Sequence, residues 1–338
     1  MKKNIKILYI GNNLFAKTNY STSYDILSDN LFNEGFTIIK KSSKSSKILR
    51  LLDMCFSVLL FRNKVDYVII DTYSTNNFYF ALLTSQLCRV FKLKYIPILH
   101  GGNLPNRIKN YPNLSSLIFK FSYKNISPSA YLKYEFEKEG FNSLLINNII
   151  PIDEYKFKKR NIIKPRLLYV RAFAEIYNPT MAVEVLKELK KTHKDAVLCM
   201  IGPDRDWVLK EVQRMISDYN LDDSVEITGV LSKKEWHKKS ESYDIFINTT
   251  NVDNTPISVI EAMALGITVV STNVGGLSYL IDDKKDGFLV NRGDICSMKN
   301  TIINVIENYS IKVTENARKK VEFFDWKVIR NKWIEILK

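Results

Sequence analysis

Cysteine and histidine are scarce in this sequence, and their scarcity argues against several classes of protein. Four cysteines and three histidines occur among 338 residues. The cysteines form no Cys-x-x-Cys pair and have no partnering histidine; they are Cys55, Cys88, Cys199 and Cys296. Disulfide frameworks and zinc modules need a regular spacing of such ligands. We therefore expect reduced, mostly buried thiols in a cytoplasmic protein.

Long apolar runs are lacking as well. No stretch approaches the roughly 20 apolar residues that cross a bilayer. The N-terminal MKKNIKILYIG has a basic start, but its apolar part is short and runs into a glycine. This pattern indicates a first β-strand rather than a signal peptide. No cluster of histidine and aspartate with metal-ligand spacing is evident, so we expect neither a metal site nor a cofactor.

The loop after this first strand lacks a dinucleotide fingerprint. Gly11-Asn12-Asn13 is followed by Phe15 and Ala16, so the three-glycine pattern is incomplete. A nicotinamide-binding first domain is therefore poorly supported. The loop still follows a strand, and ligands of parallel sheets bind at the carboxyl ends of strands. Gly11 and Asn12 are accordingly predicted to face a bound ligand.

Composition and charge describe a basic globular protein. The hydrophobic fraction is 46% and the charged fraction 25%, and the length suggests two domains. The formal charge is +14, and residues 1–155 carry 20 Lys and Arg against 11 Asp and Glu. This excess implies an anionic partner, which is a membrane surface, a phosphate-bearing acceptor or nucleic acid. The absence of a recognised nucleic-acid module disfavours nucleic acid.

Strand and helix patterns alternate along the whole chain. A first series of buried strands includes Lys6–Ile10 and Lys94–Leu99, and a second includes Arg166–Val170 and Thr268–Ser271. Such alternation predicts α/β architecture with parallel sheets. We predict a Rossmann-like domain over residues 1–155, a second one over 156–322 and a terminal helix over 323–338.

The segment NVDNTPISVIEAMALGITVVSTNVGG, residues 251–276, is the most informative of the sequence. Thr255 is predicted to cap a helix whose first residue is Pro256. Free backbone amides would then face a ligand at the positive end of the helix dipole; they belong to Ile257, Ser258 and Val259. Such a helix start binds phosphate.

Two carboxylates flank this helix start. Glu261 can accept hydrogen bonds from a diol such as a ribose, and Asp253 can reach sugar hydroxyls on the other side of the phosphate. The combination of carboxylate, anion site and carboxylate suits a sugar–diphosphate–nucleoside. An ordinary buried βα unit with a solvated Asp253 is the alternative.

The run Glu261-Ala262-Met263-Ala264-Leu265-Gly266 resembles the donor signature of retaining glycosyltransferases of family 4, the group 1 enzymes of bacterial polysaccharide assembly. Asp253 stands where these enzymes more often have Glu. The resemblance implies a GT-B fold, in which two Rossmann-like parallel-sheet domains face each other across a cleft. It also implies that the last helix crosses back to the first domain.

The resemblance further implies roles for His100 and Arg171. A histidine at the position of His100 lies beside the donor sugar in related enzymes, and an arginine at the position of Arg171 neutralises the leaving diphosphate. Family members often have Gly before that arginine and Lys five residues after it, whereas Val170 and Ile176 occupy these positions here. Arg205 is our candidate for the second cation.

Further contacts are predicted in loops that follow strands. Polar acceptor contacts are predicted at Tyr73, Ser74, Asn103 and Arg107. Gly275 and Gly276 are assigned to the donor site as a second helix start near the phosphate, and a simple tight turn is the alternative.

A basic segment precedes an apolar helical pattern. Lys40–Lys47 reads KKSSKSSK and Ile48–Phe61 reads ILRLLDMCFSVLLF. Such a helix can lie on an anionic membrane. The alternative is a helix packed on the sheet after a solvated loop. We expect peripheral attachment to the inner face of the plasma membrane.

The sequence as a whole predicts a glycosyltransferase. We expect transfer of a sugar, with retention, from a nucleotide diphosphate-sugar to a glycan acceptor that is lipid-linked. A nucleotide-sugar epimerase on the same fold and a nucleotide-sugar-binding protein without activity are the alternatives.

Overall fold

The computed structural model describes residues 4–11, 22–42, 44 and 46–338. Asn12, one of the predicted ligand residues, lies outside the described residues. The chain divides into two compact units. Met1–Ile149 together with Trp326–Lys338 form unit 1, and Ile150–Asp325 form unit 2. Among the helices that are described, none is long and apolar enough to span a membrane.

Six parallel strands form the sheet of unit 1. They are β1 (Lys6–Ile10), β2 (Thr37–Lys41), β3 (Tyr67–Thr72), β4 (Lys94–Leu99), β5 (Ile126–Ser127) and β6 (Leu144–Leu145). Their order is β2-β1-β3-β4-β5-β6. Alternate residues point to opposite faces, so Leu8 and Ile10 enter one apolar cluster while Ile7 and Tyr9 enter another. Both faces are therefore covered, which explains the continuous apolar character of the strands.

The helices between these strands are α1 (Ser23–Asn33), α2 (Lys47–Phe61), α3 (Asn77–Val90), α4 (Leu104–Asn110), α5 (Pro112–Phe119) and α6 (Ala130–Lys138). A capping box fixes the start of α1, because Thr22 and Asp25 each accept a hydrogen bond from the other's backbone amide. In contrast, α2 buries only Met54, Ser57 and Val58. Most of its apolar side chains face outward.

Unit 2 repeats the architecture with a second six-stranded parallel sheet. Its strands are β7 (Arg166–Val170), β8 (Val197–Ile201), β9 (Val225–Gly229), β10 (Ile245–Asn248), β11 (Thr268–Thr272) and β12 (Phe288–Val290). Their order is β12-β11-β10-β7-β8-β9. The order reverses beside β7, and this reversal creates the crevice in which open α/β sheets bind ligands.

The helices of unit 2 are α7 (Pro179–Leu189), α8 (Val208–Asp218), α9 (Lys233–Ser240), α10 (Ile257–Ala264), α11 (Leu277–Leu280), α12 (Ile295–Glu307) and α13 (Ile311–Glu322). Helix α10 is buried along most of its length, because Val259, Ile260, Ala262 and Met263 are fully enclosed in the core. Its position is therefore fixed by packing rather than by a cap.

The last helix, α14 (Trp326–Leu337), belongs to unit 1 although it follows unit 2 in the sequence. Ile329, Trp333 and Leu337 join the apolar cluster that contains Ile7 and Tyr9. Their spacing of four residues places them on one face of the helix. The terminal residues thus complete the core on one face of the first sheet.

Candidate functional site

The loop between β10 and α10 carries the predicted carboxylates at the carboxyl end of a central strand. Asp253 and Glu261 are both 9% exposed. Threonine hydroxyls hold the loop: Thr272 Oγ1 donates to the Thr250 carbonyl at 2.6 Å, and Thr249 Oγ1 donates to the Asn178 carbonyl at 2.7 Å. The loop is therefore held in place from both neighbouring segments.

The start of α10 differs from the prediction. Thr255 does not cap the helix, and Pro256 is its flanking residue rather than its first, with φ −66° and ψ 121°. The Pro256 carbonyl accepts the amides of Val259 and Ile260 at 3.1 and 3.3 Å, which places the helix start one residue later. The predicted free amide of Val259 is therefore already bonded. The amides of Ile257 and Ser258 form the open end of the helix.

Two buried polar atoms beside this loop lack a protein partner. Arg171 pairs with Asp253 and stacks on the Tyr177 ring, 4.2 Å from its centroid, yet its Nε is buried without a hydrogen bond. The Ser258 hydroxyl is buried and unpaired in the same way. Burial without a partner costs about 1–3 kcal/mol for each group. A cation, an unpaired hydroxyl and an open helix end are the donors that a diphosphate needs.

Glu261 is held by two residues that the sequence did not indicate. The Tyr155 hydroxyl donates to Glu261 Oε1 at 2.5 Å, and Lys233 Nζ lies 3.9 Å from the same oxygen. Burial raises the pKa of Glu261, while Tyr155 and Lys233 act to lower it. Burial also raises the pKa of Tyr155, which therefore stays a donor. Tyr155 is 106 residues from Glu261, and no local pattern points to such a contact.

The loops that follow β7 and β8 carry the two predicted cations and are joined by a backbone hydrogen bond. The Arg205 amide donates to the carbonyl of Phe173, two residues after Arg171, at 2.9 Å. The Arg205 side chain is exposed. Ile176, at the position of the family's lysine, accepts the Asn251 amide at 2.8 Å through its carbonyl. The segment around Ile176 thus supports the carboxylate loop without supplying a charge.

Gly275 and Gly276 lie directly against the carboxylate loop. A Cβ at Gly276 would lie 1.8 Å from the Asn254 carbonyl oxygen, and one at Gly275 would lie 2.1 Å from that of Asp253. The Gly276 amide also donates to the Asp253 carbonyl at 3.1 Å. Helix α11, which follows, has four residues. Close approach of two backbones therefore accounts for both glycines.

His100 belongs to a buried polar cluster of unit 1. Its Nε2 lies 3.1 Å from Asp71 Oδ1, and the Tyr9 hydroxyl donates to that oxygen at 3.0 Å. The Tyr73 ring stacks on the imidazole, with centroids 4.9 Å apart. Burial and the neighbouring Asp71 raise the pKa values of Tyr9 and Tyr73, so both keep their protons. A carboxylate oxygen accepts, so His100 donates to Asp71 through Nε2, and Nδ1 is the ring nitrogen that can accept from a ligand.

Asp71 was not among the predicted residues, although the strand pattern could have indicated it. It lies near the end of β3, and Thr72 pairs with Leu99 at the end of β4, immediately before His100. Gly11, Asp71 and Tyr73 line one small cavity. The structure thus brings Gly11, Tyr73 and His100 together around a carboxylate.

The remaining predicted acceptor residues separate into two groups. Arg107 Nε donates to the Ser74 carbonyl at 3.0 Å, and its guanidinium stacks on Tyr111 at 4.8 Å from the centroid. This arrangement ties the loop of Ser74 to α4. Asn103 accepts a hydrogen bond from Asn106 at 2.7 Å and turns toward its own helix.

Comparison with known proteins adds a family match. The model of a family described as glycosyl transferases group 1 matches residues 152–321. The amylovoran biosynthesis glycosyltransferase AmsK of Erwinia amylovora is 24% identical over 86% of this chain and 73% of its own length. The putative colanic acid biosynthesis glycosyltransferase WcaL of Escherichia coli K12 is 27% identical over 55% of this chain and 49% of its own length.

Solved structures match nearly the whole chain. Anabaena Alr3699/HepE, in complex with UDP and glucose, superposes with a TM-score of 0.77 at 16% identity, covering 98% of this chain and 99% of that one. Sucrose-phosphate synthase of Thermosynechococcus elongatus gives 0.80 at 13% identity, covering 98% of each chain. These likenesses confirm the predicted GT-B fold with its two Rossmann-like units.

Proposed function

Because the chain belongs to the group 1 glycosyl transferases, we propose that it is a retaining family 4 enzyme that uses a nucleotide diphosphate-sugar. The acceptor is a glycan of bacterial cell-surface polysaccharide assembly, in line with AmsK and WcaL. The observation that carries the donor assignment is the buried, unpaired Arg171 Nε beside Asp253, together with the unpaired Ser258 hydroxyl at the open start of α10.

The chemical roles follow from these groups. Arg171 and the amides of Ile257 and Ser258 stabilise the departing diphosphate. Glu261 accepts hydrogen bonds from the ribose and Asp253 from the transferred sugar. The bond between the anomeric carbon and the phosphate oxygen breaks, and a bond to the acceptor oxygen forms on the same face. The acceptor proton passes to the leaving phosphate oxygen.

Two further roles complete the proposal. His100 contacts the transferred sugar through Nδ1, since Nε2 is engaged by Asp71. Arg171 and the helix start supply positive charge for the diphosphate, so we expect no required divalent cation. Transfer measured with and without excess EDTA tests this point, and a complete loss of transfer that Mg²⁺ restores would contradict it.

Thermal denaturation with nucleotides tests the donor site first. UDP, GDP, ADP and UDP-glucose are compared for wild type, Glu261→Ala and the exposed control Glu307→Ala. HepE has been solved with UDP, so UDP is the first candidate. Stabilisation by one nucleotide, retained in the control and lost in Glu261→Ala, is the expected result. If no nucleotide stabilises the wild type, the assignment of the donor site is refuted. In a separate activity assay, consumption of the nucleotide-sugar in the absence of an acceptor would instead indicate an epimerase.

Membrane attachment is proposed for the outward face of α2. This apolar face consists of Ile48, Leu49, Leu52, Phe56, Leu59 and Leu60, which are 41–72% exposed. Lys44 and Lys47 precede it, and Arg62 and Lys64 follow it. Basic residues beside an apolar helix face favour an anionic bilayer by about 1 kcal/mol each. A membrane-bound enzyme would meet a lipid-linked acceptor there.

Vesicle sedimentation tests this attachment. Wild type is expected to sediment with phosphatidylglycerol vesicles in low salt and less with phosphatidylcholine vesicles. Leu52→Asp with Phe56→Asp should abolish sedimentation, whereas Ile162→Asp, at a 76% exposed site of unit 2, should not. Equal sedimentation of all three proteins would refute a role for α2.

A further inference from the structure

A second concentration of positive charge lies in unit 2, away from the start of α10. A pocket of about 570 Å³ opens between α9, the segment 154–160 and the end of α10. Six cations line this basic pocket: Lys156, Lys158, Arg160, Lys233, Lys234 and Lys238. Glu154 and Glu241 are the acids among its described lining residues, and Leu265 alone is apolar there. The lining therefore carries a clear positive excess.

Some of these cations hold the fold together. Arg160 is 4% exposed, pairs with Asp244 at 3.1 Å and donates to the Gly266 carbonyl at 2.8 Å. Lys158 Nζ donates to the Glu241 carbonyl at 2.6 Å. By contrast, no partner is found in the described part of the chain for a second group, namely Lys156, Lys234 and Lys238. Three ammonium groups thus remain available to a ligand.

His237 adds an unsatisfied atom to the same pocket. Its ring lies against Tyr155, with centroids 4.7 Å apart, and against Trp236 at 4.8 Å. Its Nε2 is buried and has no hydrogen-bond partner. Burial and the nearby Lys233 lower the pKa of His237 to about 4, so the ring is neutral at pH 7. A buried ring nitrogen without a hydrogen-bond partner is rare in folded proteins, because it lowers their stability.

The placement of the lysines on α9 is itself unfavourable. Lys233 and Lys234 are in the first turn, where the helix dipole presents positive charge. Glu235, held by the Ser232 amide at 2.8 Å, and Glu154, 3.3 Å from Lys233 Nζ, offset this only in part, because Lys234 has no carboxylate partner among the described residues. A bound anion would relieve the repulsion. Residues whose local placement lowers the stability of the fold are expected mainly at functional positions.

We propose that the basic pocket is an anion site distinct from the donor site, and that it binds a ligand carrying two or more linked phosphates. A concave pocket lined by one sign of charge concentrates counter-ions. Its volume lies within the range of about 300–1,000 Å³ of small-molecule sites and exceeds the needs of a single phosphate. The scarcity of apolar lining argues against an apolar ligand.

The two sites lie toward opposite ends of α10. Ser258 is in the first turn of this helix, Arg171 pairs with Asp253 in the loop before it, and Leu265 follows its end. Eight residues span about 12 Å along a helix axis. Two residues connect the two regions. Lys233 lines the pocket and lies 3.9 Å from Glu261, and Tyr155 bonds Glu261 while its ring lies against His237. The test variants therefore leave Lys233 unchanged.

Histidine NMR on the full chain offers a local readout. The three histidines, His100, His193 and His237, are labelled with ¹⁵N, and inorganic tripolyphosphate is titrated in 150 mM salt. We expect the His237 ring signals to shift and the pKa of His237 to rise. The charged groups that line the same pocket as this ring come from α9 and its end and from the segment 154–160; they are Lys233, Lys234, Lys238, Glu241, Glu154, Lys156, Lys158 and Arg160. Replacing Lys234 and Lys238 by Gln should weaken binding at least tenfold.

The control removes the same charge elsewhere. Lys194→Gln with Lys312→Gln changes two exposed lysines outside the pocket and should leave the affinity unchanged. If the His237 signals do not move, or move equally in both double variants, the proposal is wrong. The readout does not depend on nucleotide binding, so failure of the donor assignment remains a separate result.

Two sources of phosphate can be separated in the same experiment. Vesicles of phosphatidylcholine that contain a polyprenyl diphosphate are added as competitor to the tripolyphosphate complex, and vesicles of phosphatidylcholine alone are the control. Release of tripolyphosphate into solution, measured by ³¹P NMR, assigns the pocket to a lipid headgroup. Retention of bound tripolyphosphate assigns it to a soluble phosphorylated compound. Both outcomes support the anion site, and they differ only in its natural occupant.

Discussion

Asp71 and Tyr155 show how single residues outside the family signature position the predicted ones. Asp71 fixes His100 and is 29 residues away from it, and Tyr155 fixes Glu261 from 106 residues away. Each contact joins segments that only the completed sheet brings together. Both supporting groups are buried, so each hydrogen bond acts where water competes little.

Replacing Asp71 by Asn is expected to move the proton of His100 from Nε2 to Nδ1. The Asn amide would donate to Nε2 and leave the proton on Nδ1, which then no longer accepts from a sugar hydroxyl. A hydrogen bond to a charged group contributes about 1.5–3 kcal/mol, so kcat/KM should fall about 10- to 100-fold. Long-range ¹H–¹⁵N spectra of His100 report the tautomer directly. Asp29→Asn, at an exposed position, is the control. An unchanged tautomer in Asp71→Asn would contradict the assignment.

The pH dependence of donor use follows from Tyr155. Its hydroxyl stabilises the ionised Glu261, whose pKa is already raised by burial. In Tyr155→Phe this support is lost, so the pKa of Glu261 rises further and more of it is protonated at a given pH. The acid limb of kcat/KM should therefore move to higher pH, with little change at alkaline pH. Tyr219→Phe serves as control, and coincident pH profiles would count against this role of Tyr155.

Among the elements, the turn after β11 determines how closely two loops approach. Gly276→Ala would place a methyl group 1.8 Å from the Asn254 carbonyl oxygen, so the carboxylate loop must move. Weaker nucleotide binding, by about tenfold or more, is expected because a displaced loop loses its contacts with the ligand. Calorimetric titration measures the change.

Gly140→Ala is the matched control for this turn. Gly140 has φ +82° but no atom within 4 Å of an added Cβ, so Ala there costs stability through backbone strain alone. Donor affinity should stay at the wild-type level. Equal losses of affinity in the two variants would show that general destabilisation, rather than the Gly276 contact, is responsible.

The elements also show what the sequence could and could not predict. The strands Lys6–Ile10 and Lys94–Leu99 have the predicted bounds, because apolar runs are local signals. The cap at Thr255 was wrong because the helix start depends on the ψ angle of Pro256, which the sequence does not specify. Lys233 was missed because it lies among other lysines, and only the tertiary structure distinguishes it.

The exposed face of α2 was predicted only in part. Apolar periodicity indicated a helix over Ile48–Phe61, and the helix forms over Lys47–Phe61. The sequence left open whether its apolar residues pack on the sheet. Burial of Met54 and Val58 with exposure of Leu52 and Phe56 shows that one side packs and the other does not. Which side of the helix is covered depends on the elements that the fold places beside it, and the sequence of the helix does not specify them.

For the whole molecule, the last segment of the sequence belongs to the first unit. Unit 1 takes its last helix from beyond unit 2, so the first 149 residues lack part of their core until the final residues are present. Trp333 is 2% exposed and is the largest buried side chain that α14 contributes to this cluster. The stability of unit 1 therefore depends on the end of the chain.

Replacing Trp333 by Ala tests this dependence. Loss of a buried tryptophan costs about 3–5 kcal/mol, which corresponds to a fall in Tm of roughly 10 °C for a unit of this size. We expect calorimetry to show an early transition in Trp333→Ala, and limited proteolysis during that transition to cut unit 1 while residues 150–325 stay intact. Trp207→Ala, at a site 76% exposed in unit 2, should melt like wild type. If Trp333→Ala instead unfolds both units in one transition at the lower temperature, unit 2 depends on α14 as well, and the independence of its core is disproved.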